Sequence, residues 1–419
     1  MPVIISHLTA SAILDSRGYP TVECTCHLSN GSTHSASVPS GASTGSHEAL
    51  ELRDHQPEIF EGKGVNLAVN HITDIISPAV AGLDPIAQAE LDHRLIHLDG
   101  TPQKSRLGAN AILAVSLAVA KAGADSRSLP LYQHFANLAN NDQVLHLPVP
   151  FFNILNGGQH AGMNLDFQEF IVIPNPASFP DFAAQLRLGA ELTHTLATIL
   201  KTHHLPTSVG DEGGFAPLLH SNRQAIDLIR EACRRRGVDP ARSLRLGFDF
   251  AANTYFQDHH FRLKDSPKPL TKAGYLTYLD SLIDTYQPLS FEDPFPEDDW
   301  PTWRQFTQKH GSKIYLIGDD FLVTHPDRLQ RAIKLKACNA ILIKPNQIGT
   351  VTETIAVINL AKQHQFVTVA SHRSGETTDT AIADLAVGCG TDYVKFGAPV
   401  RGERVVKYNR LSRIAAALA

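Results

Sequence analysis

Lys344 closes the apolar run Ala340-Ile341-Leu342-Ile343, and Pro345 follows it directly. A run this apolar and β-branched reads as a buried strand, and proline after it offers no further ladder donor. A lysine at the inner end of such a strand is costly unless paired or held neutral. Either state suits proton abstraction, so Lys344 is a candidate base. Asp249, Glu292, Asp319, His372 and Lys395 close comparable apolar runs. Asp249, Glu292 and Asp319 form an all-oxygen set, and hard carboxylates without neighbouring Cys or His select Mg2+ rather than Zn2+. Any one of them alone reads as a cap or surface charge, because Asp293, Glu297, Asp298, Asp299 and Asp320 lie close by. Three in strand-end register favour metal. Two lysines beside a cation site are expected to lower each other's pKa, with burial adding to the effect. His372-Arg373-Ser374-Gly375 is an anion-binding candidate, since Arg contacts phosphate bidentately and Ser adds a donor. A loop with a surface arginine fits those four residues equally well. His160, beside Gly157 and Gly158, fits a packed or solvated loop histidine at least as well as a catalytic one.

The elements that must position these groups repeat. From Glu292 the intervals to Asp319, Lys344, His372 and Lys395 are 27, 25, 28 and 23 residues. Helical periodicity fills the gaps, as in 350–365, where Val351, Ile355 and Ile358 share a face. The spacing matches a (β/α)8 barrel of roughly 250 residues, whose chemistry sits at the C-terminal strand ends. The barrel opens with strands at 149–155 and 167–173. The connection between them is too short and unhelical for a parallel crossover, so the second strand is expected antiparallel to the first. Glu169, early in that strand, then reaches the same barrel end as the later strand tips. Gly210-Asp211-Glu212-Gly213-Gly214 is a glycine-hinged acidic loop.

Ahead of the barrel, alternation at 4–14, 21–29 and 33–39, with Asn30-Gly31 as a hairpin signal, predicts a three-stranded antiparallel meander. Ser40-Gly41-Ala42-Ser43-Thr44-Gly45 is a flexible loop able to approach a ligand closely, although a solvated linker fits it too. Helices are expected over 66–80, 85–95 and 108–124, the last rich enough in alanine to pack closely on a neighbour. The polar stretch 137–143 marks the boundary between an N-terminal α+β capping domain, 1–138, and a catalytic β/α barrel, 139–419.

At 419 residues and 43% hydrophobic, the chain can build a barrel and a smaller partner. Its net charge of −5, without a basic stripe, argues against nucleic acid as a partner. No stretch approaches a membrane span, and Met1–Ser6 lacks the features of a signal peptide. Five scattered cysteines read as buried free thiols in a reducing cytoplasm.

The longer motifs carry a resemblance. Asp15-Ser16-Arg17-Gly18, Ser40–Gly45 with His47–Asp54, Leu107–Leu113, Asn156-Gly157-Gly158 with Gln168-Glu169-Phe170, and Gly210–Gly214 resemble the enolase (phosphopyruvate hydratase) family. Phe291-Glu292-Asp293-Pro294-Phe295, Gly318-Asp319-Asp320, Asn346–Thr350 and Ser371–Thr377 do so as well. The resemblance runs from about residue 4 to the C-terminus. It implies an α+β domain before a modified TIM-type barrel starting ββαα. It also implies reversible dehydration of 2-phospho-D-glycerate to phosphoenolpyruvate and water, in glycolysis and gluconeogenesis. By motif match, Asp249, Glu292 and Asp319 would hold the first of two Mg2+ ions, and Ser43 would meet the second. Arg373 and Ser374 would bind phosphate and Lys395 the carboxylate, with His160 and His372 lining the site. Lys344 would be the base and Glu212 the acid, kept protonated by neighbouring Glu169 and poor solvation. A homodimer or larger homo-oligomer is implied, with Glu23 and Arg413 matching residues that pair across the family's dimer interface. Tyr19, Pro345, Phe396 and the segment Gly162–Asp166 depart from the commonest family pattern without removing a catalytic group.

Two other readings compete. A racemase or cycloisomerase acting on a carboxylate would share the metal acids and lysines, but leaves the 210–214 acid, the 372–374 cluster and the Ser43 loop without a purpose. A non-catalytic relative would be expected to have lost a ligand or the base.

Overall fold

The computed structural model describes residues 2–41 and 45–419. Its first element is a sheet of three antiparallel strands, β1 (Ile5–Leu14), β2 (Pro20–Leu28) and β3 (Thr33–Ser37), in the order β1-β2-β3. The first turn is closed by Asp15, whose carboxylate accepts the N–H groups of Arg17 and Tyr19, and Gly18 supplies a φ of 78°. Val22, Cys24, Cys26 and Leu28 alternate onto the buried face. The helix Ala109–Ser126 packs against β2 and β3 and is buried along most of its length, as its small side chains suggest. Chain 66–80 is continuous, but with a wider turn at His71–Ile76 between two α-helical pieces. The next helix, Gln88–Asp99, starts and ends later than the sequence pattern indicates. The turn around Asp84 keeps residues 85–87 out of it, and Gly100, in the left-handed region, ends it. All five cysteines are free and buried.

Residues 139–148 lead from the helix Leu131–Leu138, which takes in Asn137, to the barrel. Its strands are β4 (Val149–Asn156), β5 (Glu169–Pro174), β6 (Leu244–Asp249), β9 (Ser290–Glu292), β10 (Tyr315–Gly318), β11 (Ala340–Ile343), β12 (Val367–Ser371) and β13 (Tyr393–Lys395). A small hairpin, β7 (Phe256–Gln257) and β8 (His260–Phe261), lies outside it. The barrel closes in the order β10-β11-β12-β13-β4-β5-β6-β9. Only β5 runs against its neighbours, and two helices, Phe182–Thr202 and Asn222–Arg235, follow it before β6. The opening is therefore ββαα, and the reversal of β5 is as expected. Apolar side chains including Phe151, Ile171, Ile173, Ile317, Leu342 and Val369 form a separate buried cluster on the strands. Polar residues occupy the far strand ends.

The helix Ala381–Gly388 packs against Leu131–Leu138 at very short range. A Cβ on Gly388 would lie 2.3 Å from the Tyr132 carbonyl oxygen and 2.7 Å from Phe135 Cβ. Gly388→Ala is therefore expected to cost about 1–3 kcal/mol through overpacking, read as a lower urea midpoint. An unchanged midpoint would mean the two helices can separate freely.

Candidate active site

Register brings the acids abreast. Glu169, the first residue of reversed β5, pairs with Asp249, the last of β6, and Asp249 pairs with Glu292, the last of β9. Asp319 follows β10, Lys344 follows β11, His372 follows β12, and Lys395 ends β13. Glu212 reaches the same rim because its loop is stitched to β4: Asn156 N–H donates to the Phe215 carbonyl, and Phe215 N–H to that of Ile154. A small, polar cavity is lined by His160, Glu169, Glu212, Asp249, Asp319, Lys344, His372, Arg373, Ser374 and Lys395, together with Gln168 and Ser371. Eleven of the twelve site residues named from sequence are thus at this rim or, for Glu292, buried against it through Lys395. Ser43 lies outside the described residues.

Lys395 Nζ lies 2.8 Å from both Glu292 oxygens and 3.1 Å from Glu169 Oε1. Lys344 Nζ lies 2.5 Å from Asp319 Oδ2. These contacts reverse the net direction expected for the lysines, although Lys395 does depress Lys344 as expected. Burial does push both ammonium groups down, but Asp319 raises Lys344 above its ordinary value, and Glu169 with Glu292 raises Lys395 much further. A carboxylate in contact outweighs a second ammonium further off.

The acids respond in the opposite sense. Burial, then Asp249, pushes Glu292 up to about 8, and burial pushes Asp249 up to about 6. Burial opposes the ionisation of Asp319 also, yet Lys344 holds it below its ordinary value. Glu169 and Glu212 form a close cluster with His160. Burial, followed by the charge of Glu212, drives Glu169 well above the usual range. Burial would do the same to Glu212, but His160 and His372 stand against its two oxygens, at 3.6 and 3.3 Å, and hold it well below. That direction runs against the expected protonated Glu212, and its cause is the pair of histidines. Burial and mutual repulsion thus drive Glu169 up while the two histidines draw Glu212 down.

Several positioning groups are not identifiable from sequence. Gln168 donates to Asp249 Oδ2, and Gln347 donates to Asp319 Oδ1 while its own carbonyl accepts from Thr324. Asp293 accepts the backbone N–H groups of both Asp319 and Asp320. It organises the turn carrying Asp319, which accounts for one of the surplus acids. Asn153 donates to Glu212 Oε2 at 2.9 Å. Glu48 crosses from the N-terminal region to pair with Arg373 at 2.8 Å. Gln168, Glu48, Gln347 and Asp293 sit inside recognisable motifs, yet residue type and spacing alone give no partner for them. Of the departures from pattern, Pro345 occupies the first turn of a short helix, Pro345–Ile348, where its missing N–H costs nothing. Phe396 is buried against Tyr408, and Tyr19 donates to Glu61 away from the cavity.

The donor set fits a hard divalent cation. Asp249, Glu292 and Asp319 are buried, oxygen-only and mutually repelling, and buried carboxylates here outnumber the ammonium and guanidinium groups facing them. Among the described residues their oxygens do not form a group within 4.8 Å of one another; Lys395 and Lys344 hold Glu292 and Asp319. Tighter groups occur at Asp293, Asp319 and Asp320, and at the rim with His47, Glu297 and Asp298.

Residues 5–135 match the family described as enolase, N-terminal domain, and residues 144–419 match enolase, C-terminal TIM barrel domain. A curated enolase from Acidothermus cellulolyticus is 49% identical over 411 residues, spanning 98% of this chain and 94% of that protein. With its closed barrel, its N-terminal sheet and this set of strand-end residues, the chain belongs to the enolase family, the Mg2+-using phosphopyruvate hydratases that dehydrate 2-phosphoglycerate in glycolysis.

Proposed function

We propose that Lys344 takes the C2 proton of 2-phospho-D-glycerate and that Glu212 protonates the departing C3 hydroxyl. The supporting observation is that both line one cavity from well-separated strands of the barrel. Lys344 follows β11, Glu212 is fixed to β4, and β12 and β13 intervene with His372 and Lys395. Two proton-transfer groups on separated strands can address adjacent carbons of one substrate.

Lys395 aims an ammonium at the substrate carboxylate, where charge accumulates as the C2 proton leaves. Arg373 and Ser374 take the phosphate, and His160 and His372 wall the side where the hydroxyl departs. Asp249, Glu292 and Asp319 would hold the first of two Mg2+ ions, with Ser43 toward the second. When bound, Mg2+ supplies positive charge to the carboxylate and phosphate oxygens. Asp319 belongs to both sets: it faces Lys344 here, and it would offer an oxygen to a bound cation. Glu169 and Glu212 share a proton, which Glu212 delivers. A lysine base working with Mg2+ is the established pattern of the enolase superfamily, so that pairing is general to it rather than a property of this chain alone. On the same reading the chain comprises a capping domain, 1–138, and a catalytic barrel, 139–419, and works in the cytoplasm as a homodimer or larger homo-oligomer. No helix among the described residues is long and apolar enough to cross a membrane.

The phosphate assignment has a direct test. Arg373 is buried, and its guanidinium faces Glu48. Arg373→Met removes charge-assisted bonds worth about 1.5–3 kcal/mol, so KM for 2-phosphoglycerate is expected to rise about 10- to 100-fold in a direct absorbance assay for phosphoenolpyruvate. An unchanged KM would place the phosphate elsewhere.

A further inference from the structure

Arg404 lies in the first turn of the C-terminal helix, Gly402–Leu418, and is fully buried. No substrate-contacting role falls to it, since it does not line the cavity. Its guanidinium donates to the backbone carbonyls of Asp211, Arg373 and Ser374, and its Nε faces Glu403 at 3.3 Å. One further contact is chemically pointed: Arg404 Nη1 lies 2.7 Å from His372 Nδ1. Guanidinium nitrogens only donate, so Nδ1 must present a lone pair. A neutral imidazole with an accepting Nδ1 carries its proton on Nε2. That Nε2 lies 3.3 Å from Glu212 Oε2, the same oxygen that accepts from Asn153 Nδ2. The other oxygen, Oε1, faces His160 Nδ1 across 3.6 Å.

We propose that Arg404 is a positioning residue for the dehydration step: it fixes His372 as the Nε2–H tautomer, so that His372 and Asn153 both donate to Glu212 Oε2 and the transferable proton is confined to Oε1. Oε2 then remains an acceptor in both protonation states of Glu212. In the forward step the proton leaves Oε1 for the C3 hydroxyl oxygen and the C3–O bond breaks to release water. The electron pair left at C2 by proton abstraction becomes the second bond of C2=C3, and Glu212 is left as carboxylate. His372 neither gains nor loses a proton. This rests on the assignment of Glu212 as the acid.

Two measurements test it. In the intact enzyme with selectively 15N-labelled histidine, the His372 signals, assigned by their loss in His372→Gln, are expected to show an unprotonated, hydrogen-bonded Nδ1 and a protonated Nε2. A protonated Nδ1 would overturn the proposal, and this readout needs no Arg404 variant to fold. In the second, Arg404→Leu is expected to lower kcat roughly 10- to 100-fold, the scale for a group acting one shell away. KM should stay within about threefold and C2 deuterium exchange should be retained. Combined with His372→Ala, the Arg404→Leu change should add no further loss, because its effect passes through His372. Losses that multiply, or exchange and dehydration falling together, would make Arg404 merely structural. Failure of the acid assignment looks different: Glu212→Gln would then leave dehydration intact, whichever tautomer His372 shows.

Discussion

Lys344→Ala is expected to abolish both exchange of the C2 hydrogen with solvent and formation of phosphoenolpyruvate, each by about 10²- to 10⁴-fold, the range for a general base. The change removes the ammonium facing Asp319, so the assay belongs at saturating Mg2+. Glu212→Gln provides the contrast. Its amide keeps the volume and can still accept from Asn153, but has no carboxyl proton to give. Dehydration should fall by at least about 10²-fold while exchange at C2 remains measurable. Deuterium uptake at C2 in the two variants separates the roles. Robust exchange in Lys344→Ala, with none in Glu212→Gln, would invert the assignment of base and acid.

Asp319→Asn is expected to weaken Mg2+ binding by at least about 10²-fold, since groups one shell further out already cost 10- to 100-fold. One hard anionic donor is lost, while Asp249 and Glu292 remain buried and repelling with less to hold a cation. Asp293→Asn is the graded control. Asp293 accepts the backbone N–H groups of Asp319 and Asp320, so its loss should fall within about 10- to 100-fold. Isothermal titration with Mg2+ reads both. Parent-like affinity in Asp319→Asn would remove it from the metal set.

Strand-end chemistry is legible because of how barrels are built. An apolar run buried on both faces stands out, and the polar residue ending it must lie at one rim. Asp249, Glu292, Asp319, Lys344, His372 and Lys395 are visible in that way, and the reversal of β5 follows from the shortness of the connection before it. Glu169 becomes a candidate only through that reversal, since an antiparallel strand alone puts its first residue level with Asp249.

Pairing is a different matter. The charges of Lys344 and Lys395 depend on carboxylates that approach within 3.1 Å, and a pattern of types and intervals carries no distances of that kind. The protonation of Glu212 is hidden for the same reason: two histidines and Asn153 converge on it only after the loop at 210–214 has been laid along β4. Glu48, Gln347 and Arg404 belong here too. Arg404 meets His372 across 32 residues of chain, at the start of a helix whose own pattern shows only a buried face. Sequence by itself determined which groups stand at the rim, because strand periodicity and burial are local. Only the tertiary structure decided which of them carry charge, because electrostatic energy depends on separations of a few ångströms between residues far apart in the chain.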